Sequence, residues 1–314
     1  MKIQSLSIVV PTKNCCVNNC KFCVSRTHTN PYEDKISPCV KQYMEGNDSS
    51  GSTIEYIDYF NRLQFARDNG CNVVVLTGTG EPVQNMKFIE FFSEVNSTLK
   101  TPFKSIEVQT TGVLLDFEKL AKLRKFGVTT ISFSISNIFD NDRNLELIGC
   151  NEKLRFDVYE TIKMVKQFGF NLRLSLNLVN DYDVVIKDGN SVGKNLIENW
   201  RMIKSVINKC KELGADQVTF RKLYKSELNS EIDNWIEKNA SKNFYDELVK
   251  YVKNYGKFLG VLPFGPSVYN IEEMSICVDS DCMSEEIKDT YKYLILRENA
   301  HIYFRWETKS SLVF

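Results

Sequence analysis

The sequence predicts an α/β fold, a partial (β/α)6 TIM-like barrel of parallel strands carrying a small C-terminal β appendage. Three observations predict it. Helical patterns repeatedly stop at a glycine and run straight into an apolar or β-branched segment. Several of those segments alternate apolar and polar residues, so each has two unlike faces. Helical stretches, not hairpin turns, join one segment to the next, which implies parallel strands with right-handed crossovers.

The elements follow in order. "SLSIVVPT" is the first strand. In "SSGSTIEYIDYFNRLQFARDNG" Ser52 and Glu55 form a capping box, and Ile54, Ile57, Phe60 and Leu63 recur at helical spacing. Its terminal Gly70 leads into "CNVVVL". "KSIEVQTTG" is a strand entered through Pro102. Asp116 caps "FEKLAKLRKFG", whose glycine opens "VTTISFSI". "KQFGFNLRLSL", "KELGADQVTF" and "KNYGKFLGVL" repeat the step. A glycine just past a helix end takes the left-handed conformation that closes the last turn.

Alternation then sorts the strand residues by face. Ile131, Phe133 and Ile135 interleave with Ser132, Ser134 and Ser136, and four leucines interleave with Arg173, Ser175 and Asn177. Val218 and Phe220 oppose Gln217, Thr219 and Arg221, while Ile106 and Val108 oppose Glu107 and Gln109. Strands buried on both faces read as unbroken apolar runs. Here helices cover the apolar face, and the polar face lines a wet or ligand-filled lumen. This barrel occupies residues 1–265. In residues 266–314 the pattern changes to a β-hairpin extension: "EMSICVDSDC", then two strands joined at "ENA" in "YKYLILRENAHIYFRW", then an edge segment "SSLVF".

Composition narrows the function. Forty basic and forty acidic residues leave no net field for holding nucleic acid. The N-terminus lacks the apolar core and small-residue site of a signal peptide, and no run approaches the roughly 18–20 apolar residues of a membrane span. The expectation is a cytoplasmic protein with reduced thiols, where crowded cysteines bind metal rather than pair.

Four of the ten cysteines crowd into "NCCVNNCKFC". Three readings compete: a disulfide staple, a zinc knuckle, and the ligands of a redox cluster. Cys16, Cys20 and Cys23 have the spacing C-x3-C-x2-C, with Phe22 before the last thiol. Three thiolates can hold a [4Fe–4S] cluster by three irons, leaving the fourth iron open, and an open position marks a metal site that does chemistry. The loop resembles that of the radical S-adenosylmethionine (SAM) superfamily, in both the spacing and the aromatic slot.

That resemblance implies a [4Fe–4S] cluster and SAM as cofactors, with reductive cleavage of SAM to a 5′-deoxyadenosyl radical that abstracts hydrogen from substrate. It implies cluster ligation by Cys16, Cys20 and Cys23. "LTGTGEP" is similar to the family's "GGEP" element, so Gly78, Thr79, Gly80 and Glu81 are expected at SAM, with Glu81 accepting from its ammonium group. "QTTG", Gln109 to Gly112, resembles the turn after the third strand. Phe22, Ser134, Ser136, Asn177 and Arg221 match further cofactor-binding positions. No catalytic residue is assigned. The reading also implies a flavodoxin- or ferredoxin-like electron donor.

The substrate expected is a small molecule, nucleoside- or amino-acid-like, with Arg173, Gln109 and Glu107 as its lumen contacts. Two alternatives stand beside this: a glycyl-radical enzyme activase, and a zinc-binding interaction protein using Cys16, Cys20, Cys23 and His28. Long polar segments after the cysteine loop and after the fifth strand are expected to act as substrate lids. Cys15, Cys39, Cys71, Cys150 and Cys210 read as bystander or structural thiols. Cys277 and Cys282 form a C-x4-C pair in the tail that could alternatively donate a hydrogen atom.

Overall fold

A computed structural model describes residues 2–12, 16–26, 53–183, 192–226, 230–261, 266–279, 290–306 and 309–314. Strands and helices alternate along most of the chain. In order they are β1 (Lys2–Val9), α1 (Thr53–Asp68), β2 (Val73–Thr77), α2 (Met86–Ser97), β3 (Ser105–Thr110), α3 (Phe117–Lys125) and β4 (Thr130–Ile135). Next come α4 (Asn141–Leu147), α5 (Val158–Gln167), β5 (Asn171–Asn177), α6 (Val192–Glu212), β6 (Gln217–Arg221), α7 (Glu231–Asn239) and α8 (Phe244–Tyr255). Five strands close the chain: β7 (Lys257–Val261), β8 (Ser267–Ile271), β9 (Met274–Asp279), β10 (Thr290–Leu296) and β11 (Ile302–Tyr303).

All eleven strands form one open sheet in the order β11-β10-β1-β2-β3-β4-β5-β6-β9-β8-β7. The pairs from β10 through β1–β6 to β9 are all parallel. The described strands therefore exceed the six expected: eight run parallel, and antiparallel β11 and β8–β7 flank them. The expected C-terminal β segments are built into this sheet at opposite edges. Strand β9 extends the β6 edge, while β10 and β11, a hairpin turning at Glu298–Ala300, extend the β1 edge. The last residues then bond β11, with Val313 donating to the Ile302 carbonyl.

Local chemistry explains the alternation. Gly70, Gly127, Gly169 and Gly214 have φ of +87°, +81°, +72° and +75°, so four of the five expected helix-ending glycines close a turn before a parallel strand. The fifth does not. Gly256 is extended at φ −90°, and β7 beyond it pairs antiparallel with β8 at the sheet's edge. Asp116 caps α3 as expected, accepting from Lys119 N at 2.8 Å. The capping box at Ser52 and Glu55, both lid segments' central residues, His28, Cys15, Cys39 and Cys282 lie outside the described residues.

The main core lies between sheet and helices, where Leu6, Ile8, Leu76, Ile131, Leu174 and Phe220 meet Leu63, Phe92, Leu120, Ile162 and Ile203. A second, separate cluster joins Val9, Ile295 and Tyr303 with Tyr293 and Trp306 against them. Val9 alternates with Ile8, so this cluster sits on the sheet's other face, toward the lumen. The lumen face is thus polar along β3–β6, while Val9, Ile295, Tyr303, Tyr293 and Trp306 form an apolar patch at β1, β10 and β11 on the face that Ser5 and Ser7 share. Among the described residues no helix is long and apolar enough to cross a membrane.

Candidate functional site at the strand C-termini

The cysteine loop leaves the C-terminal end of β1, where Val10 N donates to the Thr77 carbonyl of β2 at 2.7 Å. Two sets of bonds hold it. The first comes from the end of α4. Asn19 N lies 3.1 Å from both the Ile148 and Gly149 carbonyls, and Lys21 N bonds the Leu147 carbonyl at 3.0 Å. A helix C-terminus leaves such carbonyls without intrahelical partners, so loop and helix satisfy one another. Gly149 has φ +58°, and a Cβ there would stand 2.3 Å from the Asn19 carbonyl oxygen. Only glycine admits the loop this closely.

The second set comes from the loops after β2 and β3. Val17 N (3.2 Å) and Glu81 N (3.1 Å) both donate to Gln84 Oε1. Asn18 Nδ2 donates to Thr111 Oγ1 at 2.8 Å, and Thr111 in turn gives its N–H (3.0 Å) and its hydroxyl (2.9 Å) to Glu81 Oε2. Glu81, Thr111 and Asn18 form one chain of bonds from the glycine turn to the cysteine loop. Within the loop, Arg26 grips Asn19 Oδ1 and the Cys20 carbonyl.

The glycine turn has a tight neighbour too. A Cβ on Gly80 would lie 2.6 Å from Thr12 Oγ1, and one on Gly78 would lie 3.0 Å from the Val10 carbonyl. These glycines therefore let the turn press against the strand end leading to the cysteine loop, with Thr79 half-buried between them.

Cys16, Cys20 and Cys23 are free, half-buried thiols. Burial pushes Cys16 upward, and the charges of Glu81 and Cys23 add to it against the pull of backbone N–H groups. Burial pushes Cys20 up more strongly, with Cys23, Cys16 and Glu81 adding and Arg26 opposing. Glu81 is raised by its own burial, partly offset by bonds from Thr110 and Thr111. Ionised together, these groups repel one another, and a cationic centre relieves that repulsion. Among the described residues no three His, Cys, Asp or Glu side chains converge tightly enough to hold one metal ion. Three thiols on one short loop beside a buried carboxylate are a donor set that suits a polynuclear iron centre. Glu81 Oε1 and Asn18 Oδ1 are buried with no hydrogen-bond partner, so the site also presents acceptors to a ligand's donors.

The other expected contacts spread from here into the lumen. Phe22 turns its ring to Trp235 of α7, centroids 6.0 Å apart. Ser134 lies beside Ser175, and Asn177 beside Arg221, in the parallel register. Ser136 is fully buried, its N–H taken by Asn144 Oδ1 at 2.8 Å and its hydroxyl unpartnered. Arg221 Nε is likewise buried without an acceptor. Lower in the lumen, Arg173 Nη1 pairs with Glu107 Oε2 at 2.5 Å across β4. Cys277 is buried in register with Thr219.

Sequence reasoning missed Asn18, Gln84, Thr111, Gly149 and Trp235. Gln84 and Thr111 lay inside or beside segments already singled out, read for their turns alone. Nothing in the local pattern says that the end of α4 docks on residues 18–21.

Comparison with known proteins follows from this geometry. A search of curated proteins found no match. Among solved structures, the chain is similar to Streptococcus suis SuiB bound to precursor peptide SuiA, with 16% identity and TM-score 0.54 over 96% of this chain and 59% of that one. It is similar to coproporphyrinogen III oxidase (HemN) from Escherichia coli, a radical SAM enzyme, with 11% identity and TM-score 0.51 over 82% and 54%. It is also similar to anSMEcpe with bound AdoMet and Cp18Cys peptide, with 13% identity and TM-score 0.53 over 98% and 75%. The chain spans about three fifths of SuiB's length. The model of the radical SAM superfamily, whose enzymes use a [4Fe–4S] cluster and SAM, matches residues 10–188. With that match covering more than half of its length, the chain belongs to the radical SAM superfamily.

Proposed function

We propose that this protein uses a [4Fe–4S] cluster and SAM to abstract hydrogen from a small, nucleoside- or amino-acid-like substrate held in the lumen. One observation carries the reading: three free thiols on a loop bonded to Glu81's own network, at the C-terminal ends of parallel strands. When bound, cluster and SAM supply a 5′-deoxyadenosyl radical by one-electron cleavage of the S–C5′ bond. The protein's part is ligation, orientation and exclusion of water.

Cys16, Cys20 and Cys23 would hold three irons. Glu81 Oε1, unpartnered and buried, would accept from SAM's ammonium group, fixed by Thr111 on its other oxygen. The backbone of Gly78, Thr79 and Gly80 would flank the methionine end. Ser134, Ser136, Asn177 and Arg221 would bond its carboxylate and ribose, supported by the buried, unpartnered Ser136 hydroxyl and Arg221 Nε. Phe22, braced by Trp235, would line the adenine side. An external flavodoxin- or ferredoxin-like donor supplies the electron. Free cysteines throughout the described residues suit the reducing cytoplasm. The similar SuiB and anSMEcpe structures are bound to peptides.

Anaerobic reconstitution tests the proposal. The expected result is iron and sulfide in the ratio of a [4Fe–4S] cluster, a reduced-cluster resonance perturbed by SAM, and 5′-deoxyadenosine released with dithionite. C16A, C20A and C23A should each lose most of the iron. A colourless protein holding stoichiometric zinc, or a loaded cluster that never cleaves SAM, overturns it.

A further inference from the structure

The lumen offers a substrate two unlike walls. On one side stand Gln109, Ser132, Arg173, Gln217 and Ser275, consecutive in the parallel register from β3 to β9. On the other, Val9, Ile295 and Tyr303 pack with Tyr293 and Trp306, apart from the main core. An uncharged hydrophilic substrate would leave the second wall unused, and a purely apolar one would strand the first.

Arg173 is the exceptional member of the polar wall. Its Nη1 is taken by Glu107 Oε2, and Glu107's other oxygen accepts from Gln109 Nε2 at 3.4 Å. Glu107's side chain is only 4% exposed, and each of its oxygens already accepts one bond, so Arg173 is the accessible member of the pair. Arg173 keeps 33% of its side chain exposed, and its Nε is buried without an acceptor. A guanidinium held at Nη1 by a buried carboxylate, with its Nε unpartnered and a third of the side chain exposed, matches a planar oxyanion in two parallel bonds. Asp279 sits beside Arg221, one strand along and four residues above Arg173's level, and does not neighbour Arg173 in the register.

We infer that Arg173 anchors the substrate through a carboxylate, and that the substrate's apolar or aromatic body lies against Val9, Ile295, Tyr293 and Trp306. The inference rests on the lumen being the substrate site, as proposed above. Glu107 then acts as a positioning residue that fixes the guanidinium's orientation.

The test uses reconstituted, cluster-loaded protein saturated with SAM, so that the SAM carboxylate cannot compete for the probe. Binding of 3-phenylpropionate, 3-phenylpropionamide and phenyl phosphate is measured by titration calorimetry. The carboxylate should bind at least about tenfold more tightly than its uncharged amide. R173A should abolish that preference, and R173K should restore part of it, each checked for iron content and melting temperature. Phenyl phosphate binding more tightly than the carboxylate reassigns the anchor to phosphate and overturns the carboxylate choice. Equal binding of acid and amide by the wild type, or a preference that survives in folded R173A, overturns the inference. Wild-type protein that loads no cluster or yields no deoxyadenosine tells against the proposed function instead, so the two failures are distinct.

Discussion

Gly149 carries no functional group, yet the cysteine loop rests on it. The missing side chain leaves room for the Asn19 backbone, and the left-handed φ of +58° turns the chain after α4 toward it. G149A should therefore cost about 1–3 kcal/mol from strain and collision together. It should also lower iron retained per chain, read by colorimetric iron assay alongside thermal melting. Full iron content with an unchanged melting temperature would show that the loop has another seat. The three-cysteine motif was legible in the sequence because its spacing is local. Gly149 was not, because its reason lies 130 residues away along the chain, in Asn19.

Among elements, the loops after β4 and β5 are tied together by Arg143, near the N-terminus of α4, and Asp181. Arg143 Nε and Nη2 reach the two Asp181 oxygens at 2.9 and 3.1 Å, and Asn137 Nδ2 adds a third bond at 3.0 Å. Burial pushes Asp181 upward, but the Arg143 and Asn137 bonds outweigh it and hold the carboxyl below its ordinary range. A depressed folded-state value stabilises the fold above the unfolded pKa of about 3.9, and the contribution is lost as pH falls through the folded value. R143A should destabilise by about 1 kcal/mol at neutral pH, the deficit shrinking below about pH 3.9. Urea unfolding across that range checks it; a deficit constant with pH means Arg143 acts by packing alone. Element identity was largely readable from sequence, since glycine-ended helices mark four of the parallel steps. Gly256 shows the limit. The same local signal precedes an antiparallel edge strand, because strand partners are chosen by the sheet and not by the turn.

Across the whole molecule, eight parallel strands curve around a lumen whose polar wall was visible as alternation and whose apolar wall was not. The apolar wall needs β10 beside β1, a pairing between segments nearly 290 residues apart. The cysteine loop is bonded to the loops after β2 and β3 and to the end of α4, so metal loading should stabilise the entire fold rather than one corner. Calorimetry of loaded and chelator-stripped protein should show a single transition moving upward on loading. A local shoulder that moves while the main transition stays put would confine the effect to the loop.

Neither flank of the parallel set is left bare. Antiparallel β11 covers β10 on one side, and β8 with β7 covers β9 on the other. The outermost strands are a two-residue segment, β11, and a strand whose register slips between Phe258 and Gly260, β7. Short or irregular borders are poor templates for a passing strand, so the sheet resists growing into a neighbouring molecule.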